Sequence, residues 1–161
     1  MSVLSIVVAG VIATAILDIW QQIFQLAFGV PITNFAILGR WVGHFRQGRF
    51  VCTDIGKAPP VEHELGLGWI VHYVVGVGYA FVYFLLMRFA FVAPPSLLSA
   101  VVFGGVSDCI TWFLMEPILG AGALAANIPA RGVALAHDFT SHLSIGPGLY
   151  VGYVIASALG G

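Results

Sequence analysis

The stretches HYVVGVGYAFVY (residues 72–83) and HLSIGPGLYVGY (residues 142–153) share one skeleton: a histidine, two glycines four and six residues on, and a closing tyrosine. Their histidines stand 70 positions apart. The runs that precede them also correspond, because GVIATAILDIW places Asp18 where AVVFGGVSDCI places Asp108. The chain therefore reads as a tandem duplication. Each unit is an Asp-bearing helix followed by a His-bearing helix, with the first repeat spanning about 3–92 and the second about 97–159.

The composition names the solvent in which such helices live. Of 161 residues, 60% are hydrophobic and only 8% charged, with a mean hydropathy of +1.00. Soluble domains carry about a quarter charged residues. Apolar runs at about 3–30, 66–92, 97–118 and 134–159 predict four transmembrane helices in a single all-α domain, since each crossing needs about 20 apolar residues. The first run has no basic leader or small-residue cleavage site and contains Asp18, Gln21, Gln22 and Gln25, so it is expected to remain as a helix.

Basic residues set the orientation. Arg40, Arg46, Arg49 and Lys57 lie between the first two runs and Arg131 between the last two, whereas Arg88 alone falls on the other side. Cytoplasmic loops hold the excess of Lys and Arg. Segments 31–65 and 119–133 are thus expected in the cytoplasm of a bacterial inner-membrane protein, with both termini outside. Cys52 and Cys109 then fall at different levels and predict no disulfide.

Two units entering the membrane in the same direction are related by an axis along its normal. Asp18, His72, Asp108 and His142 are expected to converge on that axis, since ionisable groups at this depth face the bundle interior and find partners. Three chemistries suit such a layer. The four residues can hold a divalent metal such as zinc or iron, or titrate in a path for a proton or small ligand. His72 and His142 can be the axial ligands of haem b, with the glycines making room for the macrocycle. In the third, Asp–His hydrogen bonds only join helices, and Gly76, Gly78, Gly146 and Gly148 only let backbones approach. The last reading suits an accessory subunit of a larger membrane complex or a homo-oligomer.

Other polar residues carry less. Glu116, before Pro117, reads as an interfacial carboxylate; His137 and Asp138 read as the start of the fourth helix, which Pro147 should kink. In the loop, NFAILGRWVGHFRQGRF alternates arginine with aromatics. This predicts either an amphipathic interfacial helix or a cap over the bundle mouth that presents Arg40, Trp41, His44, Arg46 and Arg49 to head groups or an anionic ligand.

Three stretches, GVPITNFAILGRWVGHFRQGRF, APPVEHELGLGWIVHY and GPGLYVGY, resemble the bacterial inner-membrane family DUF2938, whose function is unknown. The resemblance covers nearly the whole chain and implies a small multi-span membrane protein. Arg40, Trp41, His44, Arg49, Trp69, His72 and His142 fall on the matching motifs, and Asp108 outside them.

Direct searches for catalytic signatures return nothing: no nucleophile elbow, His-Glu-x-x-His, phosphate loop or Cys-x-x-Cys. A net charge of −1 with six basic residues argues against nucleic-acid binding. The lipid bilayer is the one partner that the composition requires, and the balance leans away from an enzyme.

Overall fold

A computed structural model describes residues 1–158, which form helices and connecting loops without strands. We label the helices α1 (Val3–Phe28), α2 (Phe35–Gly43), α3 (Glu64–Ala90), α4 (Leu97–Leu119) and α5 (Arg131–Ala158). α1, α3 and α4 are long and apolar enough to cross a membrane. α5 has 28 residues, but its first half carries Arg131, His137, Asp138, Thr140, Ser141 and His142. It begins at Arg131, so His137 and Asp138 lie inside the helix rather than at its start. The helix runs through Pro147 without a break.

Local signals fix the ends. The Ser2 hydroxyl caps α1 by accepting from Ser5 N at 3.1 Å, and Gly29 closes it at φ 69° with its N–H on Gln25 O. Ser96 and Ser99 form a reciprocal box at the start of α4.

The packing divides large from small residues. Leu4, Ile19, Leu26, Ile70, Val74, Leu98, Val102 and Phe113 face outward. The helix seams are built from Gly, Ala and Ser. Ala9 and Ala13 of α1 meet Gly152 and Gly148 of α5, and a Cβ on either glycine would overlap the α1 backbone. Gly146 and Gly104 make the corresponding close crossing between α5 and α4, while Gly76 and Gly10 do so between α3 and α1. Without a hydrophobic drive between apolar helices in lipid, such close backbone contact supplies the packing energy.

The helices stand in the order α3, α1, α5, α4. α1 and α5 pack antiparallel over most of their length, whereas α3 and α4 meet only around Tyr79, Tyr83, Ser99 and Phe103. This leaves a gap on one side of the row. α2 lies along the first half of α3 where Gly39 and Gly68 cross, placing Phe35 beside Trp69 and His72 with ring centroids 4.3 and 4.4 Å away. The chain after α1 thus turns back into the bundle before α2 leads it out again. The glycine face of this helix is buried against α3.

Gly78 departs from the expectation for the four motif glycines. It is exposed, and a Cβ there would meet nothing within 4 Å. Gly148→Val should therefore cost about 1–3 kcal/mol through overpacking. Gly78→Ala should be neutral or stabilising by up to about 1 kcal/mol, through helix propensity. Thermal unfolding of the purified variants, followed by size-exclusion chromatography, measures the difference.

Candidate functional site: a cavity between two Asp–His helix pairs

The four ionisable residues assemble as two pairs. In the first, His72 Nε2–H donates to Asp18 Oδ1 at 2.8 Å and Tyr73 Oη–H to Asp18 Oδ2 at 2.9 Å. Both carboxylate oxygens of Asp18 are thus satisfied between α1 and α3. In the second, the Ser107 hydroxyl donates to Gly104 O at 2.7 Å, which spends its one proton. It therefore accepts from His142 Nδ1–H at 3.0 Å, and the neutral imidazole accepts at Nε2 from the Thr111 hydroxyl at 3.1 Å.

Asp108 is left out of this exchange. Its carboxyl is fully buried, neither oxygen has a hydrogen-bond partner, and Oδ1 lies 3.6 Å from His142 Nε2. An ionised carboxylate so placed costs several kcal/mol. In the tautomer that Ser107 imposes, His142 offers Asp108 no proton; protonated at Nε2, it would.

His72 and His142 both line a cavity of about 450 Å³ that fills the gap between α3 and α4. Thr14, Leu17 and Gln21 of α1, Gly76 and Tyr79 of α3, Ile110, Thr111 and Met115 of α4, and Asp138, Ser141 and Ile145 of α5 complete its wall, with Thr33 to Leu38 closing one end. The volume is that of a small-molecule pocket, about 300–1,000 Å³. On the α4 wall, residues 111–115 form a turn of π-helix, a distortion frequent at functional sites. Thr111, its first residue, is the one that meets His142. The N-terminus of α2, capped by the Asn34 side chain, opens on the same cavity, and Gln21 Oε1 accepts from Thr33 N at 3.0 Å.

This geometry revises the candidate ligand sets. Among the described residues, no three of His, Cys, Asp and Glu come together as ligands for one ion. Asp18, His72, Asp108 and His142 are two separate pairs, the histidines on the wall and the aspartates behind them, rather than one coordination sphere. Axial ligation of haem would require His142 to give up Thr111 or Ser107, since both ring nitrogens are engaged.

The loop residues also differ from expectation. Arg40 is turned inward: its Nε and Nη2 donate to Glu64 at 2.9 and 2.8 Å, and Nη1 to the carbonyls of Gly56 and Ala58 at 3.2 Å. The hydrogen bond to Glu64 raises its pKa above the ordinary arginine value, so it stays charged. His44 is buried and donates to Pro59 O at 2.9 Å, and Trp41 donates to Phe50 O at 2.8 Å. Arg46 and Arg49 alone of this group are exposed. Cys52 N–H donates to Ile118 O at 2.8 Å and ties the loop to the end of α4. Arg40 and His44 therefore hold a cap together rather than present charge from it. Both cysteines are free. Glu116 is buried and accepts from Ala125 N at 2.6 Å, so it closes the following turn.

Tyr73, Ser107, Thr111, Gln21 and Ser141 are site residues that the repeat pattern does not mark. Their signal is positional: Ser107 and Thr111 flank Asp108 at helical spacing on the face toward α5, and Tyr73 follows His72.

Fold and site together define an all-helical protein with three apolar candidate spans and a polar cavity among them. The chain belongs to the DUF2938 family, described as proteins of unknown function, with the match covering residues 7–156. No curated protein and no solved structure matches the chain.

The Asp18 pair yields a direct measurement. Asp18→Asn and His72→Gln should each destabilise the fold by about 1–2 kcal/mol. A double-mutant cycle should return a coupling of at least about 0.5 kcal/mol; additive losses would contradict the hydrogen bond. Arg40→Ala should speed limited proteolysis within residues 44–63, with Arg46→Ala leaving the rate unchanged.

Proposed function

We propose that the chain is a four-span protein of the bacterial inner membrane, a single domain of two tandem repeats, whose central cavity binds a small amphipathic molecule and passes it or a proton across. The loops carrying Arg46, Arg49, Lys57 and Arg131 face the cytoplasm, and both ends of the chain face outside.

One observation carries this reading: His72 and His142, one from each repeat, line the same cavity. The equivalences extend to the packing. Thr14 and Gly76 cross in the first pair where Gly104 and Gly146 cross in the second, and Asp18–His72 matches Asp108–His142. In a closed two-fold bundle α3 would meet α4 as α1 meets α5. That contact is replaced by the cavity. Helices whose ends turn back toward the middle of a bundle are the usual builders of transporter sites, and α2 supplies one.

The test is chemical. Protein purified in mild detergent is denatured and its small-molecule extract compared, by mass spectrometry, with extracts of Leu38→Trp and Met115→Trp, which fill the cavity. A compound released near stoichiometrically from the parent protein and reduced at least tenfold in both variants is expected. Identical extracts from three equally folded proteins would contradict the reading.

A further inference from the structure

We infer that the cavity takes a hydrophobic organic cation, an amine or quaternary ammonium group on an apolar body, with Asp138 on the wall and Asp108 behind His142 balancing its charge. The inference rests on the cavity being a ligand site and specifies what enters it.

The distribution of charge argues for a cation. The ionisable side chains on the wall are His72, Tyr79, Asp138 and His142, and no Lys or Arg is among them. Behind the wall stand Asp18, at 2.8 Å from His72, and Asp108, at 3.6 Å from His142. Apart from Arg131, which acts electrostatically on Glu116, the basic residues are committed or distant. Arg40 and Lys57 are paired with Glu64 and Asp54, Arg131 donates to Leu124 O at 2.7 Å, Arg46 and Arg49 are exposed, and Arg88 lies at the far end of α3. One carboxyl, Asp138, thus lines the cavity, with Asp18 and Asp108 behind its two histidines, and the wall offers no cation to hold an anion.

Asp108 is the independent sign that a positive partner is missing. It is fully buried, and neither oxygen has a hydrogen-bond donor. Asp138 is reached from the cavity directly; its side chain neighbours His137 Nδ1 at 3.4 Å and the carboxyl of Glu116, and it stands within electrostatic reach of Asp108 and His142. A cation held at Asp138 therefore relieves the mutual repulsion of this group at one point. Leu17, Ile37, Val75 and Ile145 give the wall its apolar part, and Tyr79 is an aromatic ring of the kind that attracts ammonium groups.

The experiment is equilibrium binding to the full chain in lipid nanodiscs, using three probes of one shape: a phenylalkyl trimethylammonium, the hydrocarbon with carbon in place of nitrogen, and a phenylalkyl carboxylate of equal length. The ammonium probe should bind saturably and at least tenfold tighter than the other two. Asp138→Asn should weaken it at least tenfold while leaving the hydrocarbon unchanged. Asp108→Asn should act in the same direction, and the Asp138 variant keeps the test valid if the Asp108 variant fails to fold. Equal or tighter binding of the hydrocarbon or the carboxylate, abolished by Leu38→Trp, would overturn the cation inference and leave the cavity reading intact. Absence of saturable binding by all three would overturn both.

Discussion

Asp18 and Asp108 sit inside helices that are largely apolar, and the cost of burying a carboxyl there has been met in two different ways. Asp18 receives two hydrogen bonds from adjacent residues of α3, His72 and Tyr73. Its charge is spread into a closed network that joins two helices. Asp108 receives none, because the serine and threonine beside it bind the imidazole instead. The first pair is complete as it stands and the second is complete only when a proton or a cation arrives. That asymmetry distinguishes two Asp–His pairs that hold matching places in the sequence.

The opening between α3 and α4 follows from the same plan. Glycine and alanine seams pull α1 onto α3, α5 onto α1 and α4 onto α5, each crossing too close for a larger residue. Closing the fourth side would need a similar seam, but Tyr79, Tyr83 and Phe103 occupy it and hold the helices apart. α2 then fills part of the space from one end, its own glycine crossing with α3 fixing how far it enters. Arg40 and Glu64 latch the loop that follows, so the cap and the cavity end are set by one ion pair.

The helices lie close to the apolar runs, whose ends carry serine caps, glycines and prolines; the boundaries 3–28, 64–90 and 97–119 and the start at 131 differ from expectation by at most three residues, and the expected end at 159 lies outside the described residues. The pairing of each aspartate with its own histidine was likewise implied by position. What the pattern could not convey was distance across the bundle. Four polar groups at one level looked like a single ligand set, yet the small seams place them two and two. The loop misled for a different reason: arginine next to aromatics is equally suited to a lipid surface and to a folded cap, and only the carbonyls of residues 55–58 and Glu64 decide which. Gly78 has the same spacing as Gly148 but faces away from every seam, so its freedom was not legible without the neighbour.

Continuity of the cavity past both histidines is the claim on which the whole account depends. Asn34→Cys and Ser141→Cys, each made in a Cys52→Ser, Cys109→Ser background, put a thiol at either side of it, with Phe113→Cys as an outward-facing reference. The rate of modification by a small water-soluble thiol reagent in membranes tests it most directly. Both cavity positions should react at similar rates, much faster than position 113, and a bulky adduct at 34 should block reaction at 141 in the double variant. An unreactive 141 beside a reactive 34 would show that the two Asp–His pairs do not share one accessible space, and would contradict the account.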